Sequence, residues 1–321
     1  MSSTAAISQI EPRIEAVFGE RGKQWLATLP ALLDQTADRL ELTLLHPYPN
    51  LTYNYVAPAI CADGREVVLK LGVPNRELTS EICALRYFSG RGSAVIIDAD
   101  AESGVLVLER LVPGEPLTSL AKDRTDSEAT SIACSLMREL HRPCSSEDRG
   151  MFQSVSDLGQ GFQRLRAEFE GGVGPFPQEL VEEAERWWID MKSTTGVEVL
   201  LHGDLHHDNI ISAARSPWLA IDPKGYIGDP AFETGALLRN LWQDRHSLSN
   251  PAQTIARRID QFADELEFDK DRVRGWGLTQ AVLSVWWSYE DGDPDWAESL
   301  EIASLIGRTG RRGDWATGRS R

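Results

Sequence analysis

Asp204, Asn209 and Asp222 are the side chains whose types and spacing most suggest chemistry. They stand in His202-Gly203-Asp204-Leu205-His206-His207-Asp208-Asn209 and, beyond Ile210-Ile211, in Ile221-Asp222-Pro223. An acid, an amide and a second acid in that order suit transfer of a phosphoryl group to a hydroxyl. That reaction asks little covalent chemistry of a protein: one carboxylate to receive the acceptor's proton, and oxygen ligands that hold Mg²⁺ against nucleotide phosphates. A zinc site at His202, His206 and His207 is the competing reading. Neighbouring His206 and His207 project in different directions, however, and no Cys or third ligand stands at a usual zinc spacing.

The backbone around these residues reads as strand, loop and hairpin. Residues 197–201 form a short apolar approach, 202–208 are too polar and turn-like for a buried regular element, and Ile210-Ile211 resumes a strand. A turn with Ser, Arg and Pro covers 213–217, and 218–221 returns. Such a hairpin would carry Asp222 at the end of its second strand, back toward Asp204 and Asn209.

The order His-x-Asp-x(4)-Asn before a further Asp resembles the catalytic and metal-binding region of the kinase superfamily. Gly203 replaces the arginine with which protein kinases read a phosphorylated activation loop. The few residues between Asp222 and Gly228-Asp229-Pro230 leave no room for a platform that lays out a peptide. A protein substrate is therefore not expected. The string Leu200 to Asn209, with Ile221-Asp222-Pro223-Lys224-Gly225 and Gly228-Asp229-Pro230-Ala231-Phe232-Glu233, is similar to the aminoglycoside phosphotransferase family, in its streptomycin 6-kinase and hydroxyurea-type resistance kinase branch.

That resemblance implies an α+β, bilobal protein-kinase-like fold. A small antiparallel β-sheet N-lobe over residues 1–110 would include a helical N-terminal segment and one further helix. A larger, mainly helical C-lobe over 111–321 would hold the catalytic loop, metal site and acceptor site. Asp204 would be the catalytic base, Asn209 and Asp222 the Mg²⁺ ligands, and ATP the phosphoryl donor.

The elements that must position these groups can be followed along the chain. Apolar residues from Ile14 to Leu40 recur at helical spacing, with Pro30 placed to kink or divide the helix. From Leu42 short strand-like runs follow at 43–46, 52–57 and 66–71, the last two joined by the turn dipeptide Asp63-Gly64. Lys70 lies inside the apolar run Glu66-Val67-Val68-Leu69-Lys70-Leu71, where a buried ammonium must be paired. It would bind the α and β phosphates, with Glu81 on the next helix as partner and Glu77 as the competitor one turn earlier; a sheet-edge lysine in solvent is the plain alternative. Residues 95–99 and 105–108 read as two more strands. They lead to Glu109, Arg110 and Leu111, which resemble the hinge whose backbone groups meet the adenine edge; locally an ordinary strand end fits equally. The loop from Pro49 to Tyr55 has no glycine, unlike the phosphate-covering loop of protein kinases. Beyond Pro116 the pattern is mainly helical, with a break at 171–175, further helical stripes over 232–310, and a frayed Arg/Gly-rich tail expected from Arg308.

Bulk properties narrow the partners. A formal net charge of −16 over 321 residues argues against nucleic acid or an anionic membrane and fits a cationic small acceptor, although acidity also serves solubility alone. Four scattered cysteines, no secretory start and no membrane-length apolar run lead to the expectation of a cytoplasmic protein. The stretch 286–296 combines Trp286, Trp287, Tyr289 and Trp296 with Glu290, Asp291 and Asp293. These acids are candidate contacts for a cationic acceptor, against a core helix followed by a solvated turn. Asp229 suits a helix cap before Pro230 and, by resemblance, a brace for the catalytic loop. Lys224 would approach phosphate or sit exposed in a turn. Two rival functions stand beside the leading one: a kinase of another small alcohol, of choline or sugar type, and a catalytically silent nucleotide-binding regulator.

Overall fold

Along β3 (Glu66–Gly72), Val67, Leu69 and Leu71 alternate with Val68 and Lys70, so the two sets leave opposite faces of the strand. β3 is the centre of an antiparallel sheet ordered β1-β2-β3-β5-β4, with β1 Leu42–Leu44, β2 Asn54–Cys61, β4 Ile96–Asp100 and β5 Val105–Glu109. One face packs Leu69, Leu71, Tyr55 and Val107 with Ile10, Ile14, Leu26 and Leu29 of α1 (Ser3–Arg39). The other face packs Leu106 and Leu108 with Leu78, Ile82 and Leu85 of α2 (Arg76–Phe88). Each such buried aliphatic side chain contributes about 1.5–3 kcal/mol. The alternation therefore assigns Lys70 to the α2 face.

The computed structural model describes residues 3–49, 51–122, 124–145, 149–240 and 248–309. Asn50 of the glycine-free loop, the stretch 241–247 and, from residue 310 on, the tail expected from Arg308 lie outside the described residues; Arg308 itself ends the helix Trp296–Arg308. The chain divides into two compact units: Met1–Gly114 with Ser212–Lys224, and Glu115–Ile211 with Gly225–Arg321.

Within the first unit, α1 is broken at Gly19, with φ 54° and ψ −134°, and not at Pro30, which stays inside the helix. Glycine alone takes that φ without a Cβ penalty, whereas proline's fixed φ is already helical and removes one hydrogen bond. α2 begins at an Asn75 cap whose side chain accepts the Leu78 N–H at 2.8 Å. The Asp63-Gly64 turn joins β2 to β3, Gly64 taking φ 84°. The expected hairpin also forms, from Ile210–Ala213 and Trp218–Ala220, closed by Ala213 N–H to Pro217 C=O at 3.2 Å. Its return strand joins the chain that enters β4: Ala220 N–H donates to Gly92 C=O at 2.8 Å and Ala94 N–H to Ala220 C=O at 2.9 Å. The strand that ends two residues before Asp222 is thus bonded to the chain that leads into β4.

The second unit is mainly helical. Lys270–Glu290 is buried along nearly its whole length among Gln178–Ser193, Thr234–Arg239, Pro251–Leu266 and Trp296–Arg308. A helix surrounded in this way has no solvent-facing stripe, so its polar residues Arg274, Thr279 and Gln280 are buried as well. Buried ion pairs add to this packing: Arg274 ties the central helix to Glu183 of Gln178–Ser193 at 2.6 Å, and Arg258 ties Pro251–Leu266 to Asp126. A small sheet adds Arg142–Pro143, Val199–Leu201, Tyr226–Gly228 and Gln153–Ser154 in that order, the last pair parallel. Residues 171–175 connect two helices of this unit and mark no boundary. Among the described residues no helix is long and apolar enough to cross a membrane.

Candidate active site

In the first unit Lys70 meets two carboxylates. Its Nζ donates to Glu81 Oε1 at 2.7 Å and Oε2 at 2.9 Å, and to Asp222 Oδ1 at 3.1 Å. Glu81 sits three positions after Leu78 and four before Leu85, so it shares their stripe on α2 and is buried with Lys70. Burial works against the lysine's charge, but the Asp222 and Glu81 carboxylates outweigh it and hold Lys70 above its usual value. Burial pushes the Glu81 carboxyl up to about 7 against the attraction of Lys70, and the Asp222 charge adds to the rise. Glu77, the competing partner, pairs with Lys224, whose backbone carbonyl also accepts Ser80 Oγ at 2.7 Å. Lys224 is thereby tied to α2. Asp222 has φ 58°, a left-handed conformation unusual outside glycine, and its side chain stays half-exposed.

In the second unit the loop after Val199–Leu201 is held by one buried acid. Glu233 accepts the His202 N–H at 2.7 Å and the Gly203 N–H at 2.8 Å, while Gly225 N–H donates to His202 C=O at 3.1 Å. Gly203 takes φ 86°, which turns the chain into Asp204. Asn209 closes the loop from the far side, its Nδ2 donating to the Asp204 carbonyl at 3.0 Å. The Asp204 carboxylate is gripped by Arg239, whose Nη2 donates to Oδ1 at 2.6 Å while Nη1 reaches Ser284 Oγ at 3.4 Å. His206 Nε2 lies 4.0 Å from Asp204 Oδ2. His207 is buried, and burial holds it well below its usual value, with the Arg258 and His206 charges adding to the effect.

Several sequence-derived candidates have other partners. Asp229 caps the turn at Pro230 by accepting the Ala231 N–H at 3.0 Å, and its second oxygen takes Trp276 Nε1 at 2.6 Å and Arg272. It is not the brace of the catalytic loop; Glu233 is. Glu290 is held by Arg164 in a two-pronged pair at 2.7 and 3.0 Å. Asp293 accepts the Asp295 N–H at 2.9 Å within its own turn, and Asp291 caps the end of Lys270–Glu290. Trp286 is buried in an aromatic cluster with Phe169, Phe176 and Tyr289. Glu109 and Leu111 stand at the end of β5, where Glu109 pairs with Arg215 at 2.6 Å. Among the described residues no group of three or more His, Cys, Asp or Glu could hold a metal, so the zinc reading has no support there.

Glu233, Arg239 and Arg215 were not singled out by sequence reasoning. An acid beside Ala231-Phe232 was the available signal for Glu233, since such a carboxylate needs donors. The two arginines look like an ordinary helix end and an ordinary hairpin turn.

The family model described as aminoglycoside/hydroxyurea antibiotic resistance kinase matches residues 52–292. The chain belongs to this family. The kinase is 32% identical over 279 residues to streptomycin 6-kinase of Streptomyces griseus, covering 85% of this chain and 87% of the relative. It is 31% identical over 301 residues to hydroxyurea phosphotransferase of Kitasatospora aureofaciens, covering 91% and 83%. Among solved structures, a thermostable mutant of aminoglycoside phosphotransferase APH(4)-Ia in ternary complex with ADP and hygromycin B superposes with a TM-score of 0.62 at 16% identity, covering 87% of this chain and 99% of that one. A choline kinase from Streptococcus pneumoniae gives 0.58 at 14% identity, with the same coverage. At these identities the solved structures establish the kinase-like fold, and the family establishes a phosphotransferase with an alcohol group as acceptor.

Proposed function

We propose that the kinase moves the γ-phosphoryl group of ATP to a hydroxyl of an aminoglycoside-like small molecule, streptomycin-type acceptors first, and so confers antibiotic resistance. The observation that carries this reading is the buried Lys70 held between Glu81 and Asp222, an arrangement that keeps an ammonium charged and fixed for phosphate oxygens. Streptomycin 6-kinase relatives at about a third identity support the acceptor. ADP and AMP-PNP complexes of similarly folded kinases support the donor.

The roles follow from each residue's chemistry. Asp204 receives the proton of the acceptor hydroxyl, its carboxylate oriented by Arg239. Asn209 and Asp222 are the proposed Mg²⁺ ligands, an amide and a carboxylate oxygen of the hard kind this ion takes. Mg²⁺ sites commonly use one or two protein ligands plus phosphates and water. Asn209 fits because its Nδ2 is engaged by the Asp204 carbonyl, which leaves Oδ1 as its ligand atom. When bound, the ion would neutralise phosphate charge. Lys70 positions the α and β phosphates, and the backbone of Glu109 and Leu111 meets adenine. Asp291 and Asp293 are the proposed contacts for a cationic acceptor, with Glu290 held back by Arg164. Need for ATP and four free thiols support a cytoplasmic location.

Hydroxyurea is the second acceptor to consider, given a relative of that activity at 31% identity. An ATP-consumption assay with a panel of streptomycin, hydroxyurea, choline and simple sugars tests the reading. Turnover with streptomycin is expected. Turnover only with choline or a sugar would move the acceptor class, and nucleotide binding without turnover of any acceptor would favour a silent regulator.

A further inference from the structure

The end of β5 departs from ordinary strand pairing. Arg110 N–H donates to Glu66 C=O at 3.3 Å, so residues 66 and 110 form a hydrogen-bonded pair and the backbone groups of Glu109 face the β4 side. There Glu109 N–H donates to Val95 C=O at 2.9 Å. An antiparallel pair would return the second bond from Val95 N–H to the Glu109 carbonyl. Instead Val95 N–H donates to the Glu109 side chain, Oε1, at 2.9 Å. The Glu109 main-chain carbonyl is thereby left out of that pair.

One arginine holds this departure in place. Arg215, in the turn of the 210–220 hairpin, donates Nη2 to Glu109 Oε1 at 2.6 Å and Nε to Oε2 at 3.3 Å. Its remaining donors fix the chain that runs into β4, with Nη1 on Gly90 C=O at 2.8 Å and Nη2 on Ser93 C=O at 2.9 Å. The planar guanidinium thus bridges a carboxylate and two carbonyls, a task for which lysine lacks the fork geometry. The same hairpin ends two residues before Asp222, which bonds Lys70. A single element therefore anchors the end of β5 and the Asp222–Lys70 contact.

We infer that Arg215 is a positioning residue for the nucleotide base: by holding the Glu109 carboxylate on Val95 N–H, it presents the Glu109 main-chain carbonyl to the exocyclic amino group of adenine. The inference rests on the reading of Glu109 to Leu111 as the base-contacting segment. It adds a discrimination that phosphate contacts cannot supply. A carbonyl accepts from the 6-amino group of ATP and meets only another acceptor in the 6-oxo group of inosine triphosphate.

Calorimetric titration of the full chain with MgATP and MgITP, without acceptor, separates the possibilities. Wild type should bind ATP more tightly than ITP by about tenfold, the value of one well-placed hydrogen bond. Arg215→Ala should lose most of that preference by weakening ATP alone, and Arg215→Lys should restore part of it. Glu109→Gln keeps an acceptor for Val95 N–H but lowers the charge that Arg215 grips; it should fall between, and it serves if Arg215→Ala does not fold. Equal weakening of both nucleotides in the Arg215 variants, or no change, would overturn the inference in favour of a purely structural pair. A wild type that binds both nucleotides equally would overturn it through Glu109. Failure to bind either nucleotide would overturn the proposed function together with it.

Discussion

Lys70 Nζ lies 3.1 Å from Asp222 Oδ1 across 152 positions of sequence, while the same ammonium is held in two bonds by Glu81. Lys70 and Glu81 are buried and survive there only as a pair, with the half-exposed Asp222 adding a second anion to the ammonium. Removing one partner strands a charge where water cannot reach it, which costs about 3–5 kcal/mol for a buried pair. Lys70→Met should therefore lower Tm sharply and abolish detectable ATP binding. Lys70→Met with Glu81→Gln should recover stability but not nucleotide binding. Thermal unfolding beside ATP titration checks both halves; a double variant no more stable than the single one would argue against the pairing.

Glu233 accepts two backbone N–H groups of the loop that carries Asp204. Bonds to a charged acceptor are worth about 1.5–3 kcal/mol each. Glu233→Gln retains one oxygen and sets an NH₂ against the other donor, so it should cost about 2 kcal/mol and reduce kcat more than it raises KM for ATP. Wild-type kcat in this variant would show that the loop does not depend on its brace.

How much of this was legible in the sequence depends on how local each determinant is. Lys70 announced itself because an ammonium in an apolar strand requires a partner, and Glu81 because helical spacing aligned it with Leu78 and Leu85. The 210–220 hairpin followed from turn residues between two apolar runs. The brace did not, since Glu233 acts on residues about thirty positions earlier, and Asp229 offered a more obvious local role as a cap. Strands of two or three residues, such as Gln153–Ser154, have no periodicity to read and exist only through their neighbours. Trp286 fitted a core somewhat better than a ligand wall; Phe169 and Phe176, more than a hundred positions away, place it in the core.

His207 is buried with its charge disfavoured, its folded value lying well below the ordinary 6.5. Below pH 6.5 the unfolded chain takes up a proton that the folded chain does not, so stability is full above that pH and falls as acid is added. One such group contributes about 1.4 kcal/mol per pH unit over that range. Denaturant unfolding between pH 7.5 and 5.5 should show a loss of about 1.4 kcal/mol in all, most of it below pH 6.5, and His207→Gln should remove it. An unchanged slope in the variant would assign the acid sensitivity elsewhere.

The acidic turn gives a graded prediction. Asp291→Asn with Asp293→Asn should raise KM for a cationic acceptor up to about fivefold at low salt, within the range of exposed charge pairs, and leave KM for ATP unchanged. Glu290→Gln should matter less, because Arg164 already holds that carboxylate. Acceptor kinetics at two ionic strengths would show it; no change in the double variant would move the acceptor wall away from this turn.

Proton removal by Asp204 is tested most directly by incubating streptomycin with MgATP and following phosphorylated product by mass spectrometry, with wild type and Asp204→Ala side by side and ATP affinity measured on both. Wild type should convert the acceptor to a monophosphate, while Asp204→Ala binds ATP with nearly unchanged affinity and forms no product. Product formation by Asp204→Ala at the wild-type rate would contradict the role of that carboxylate.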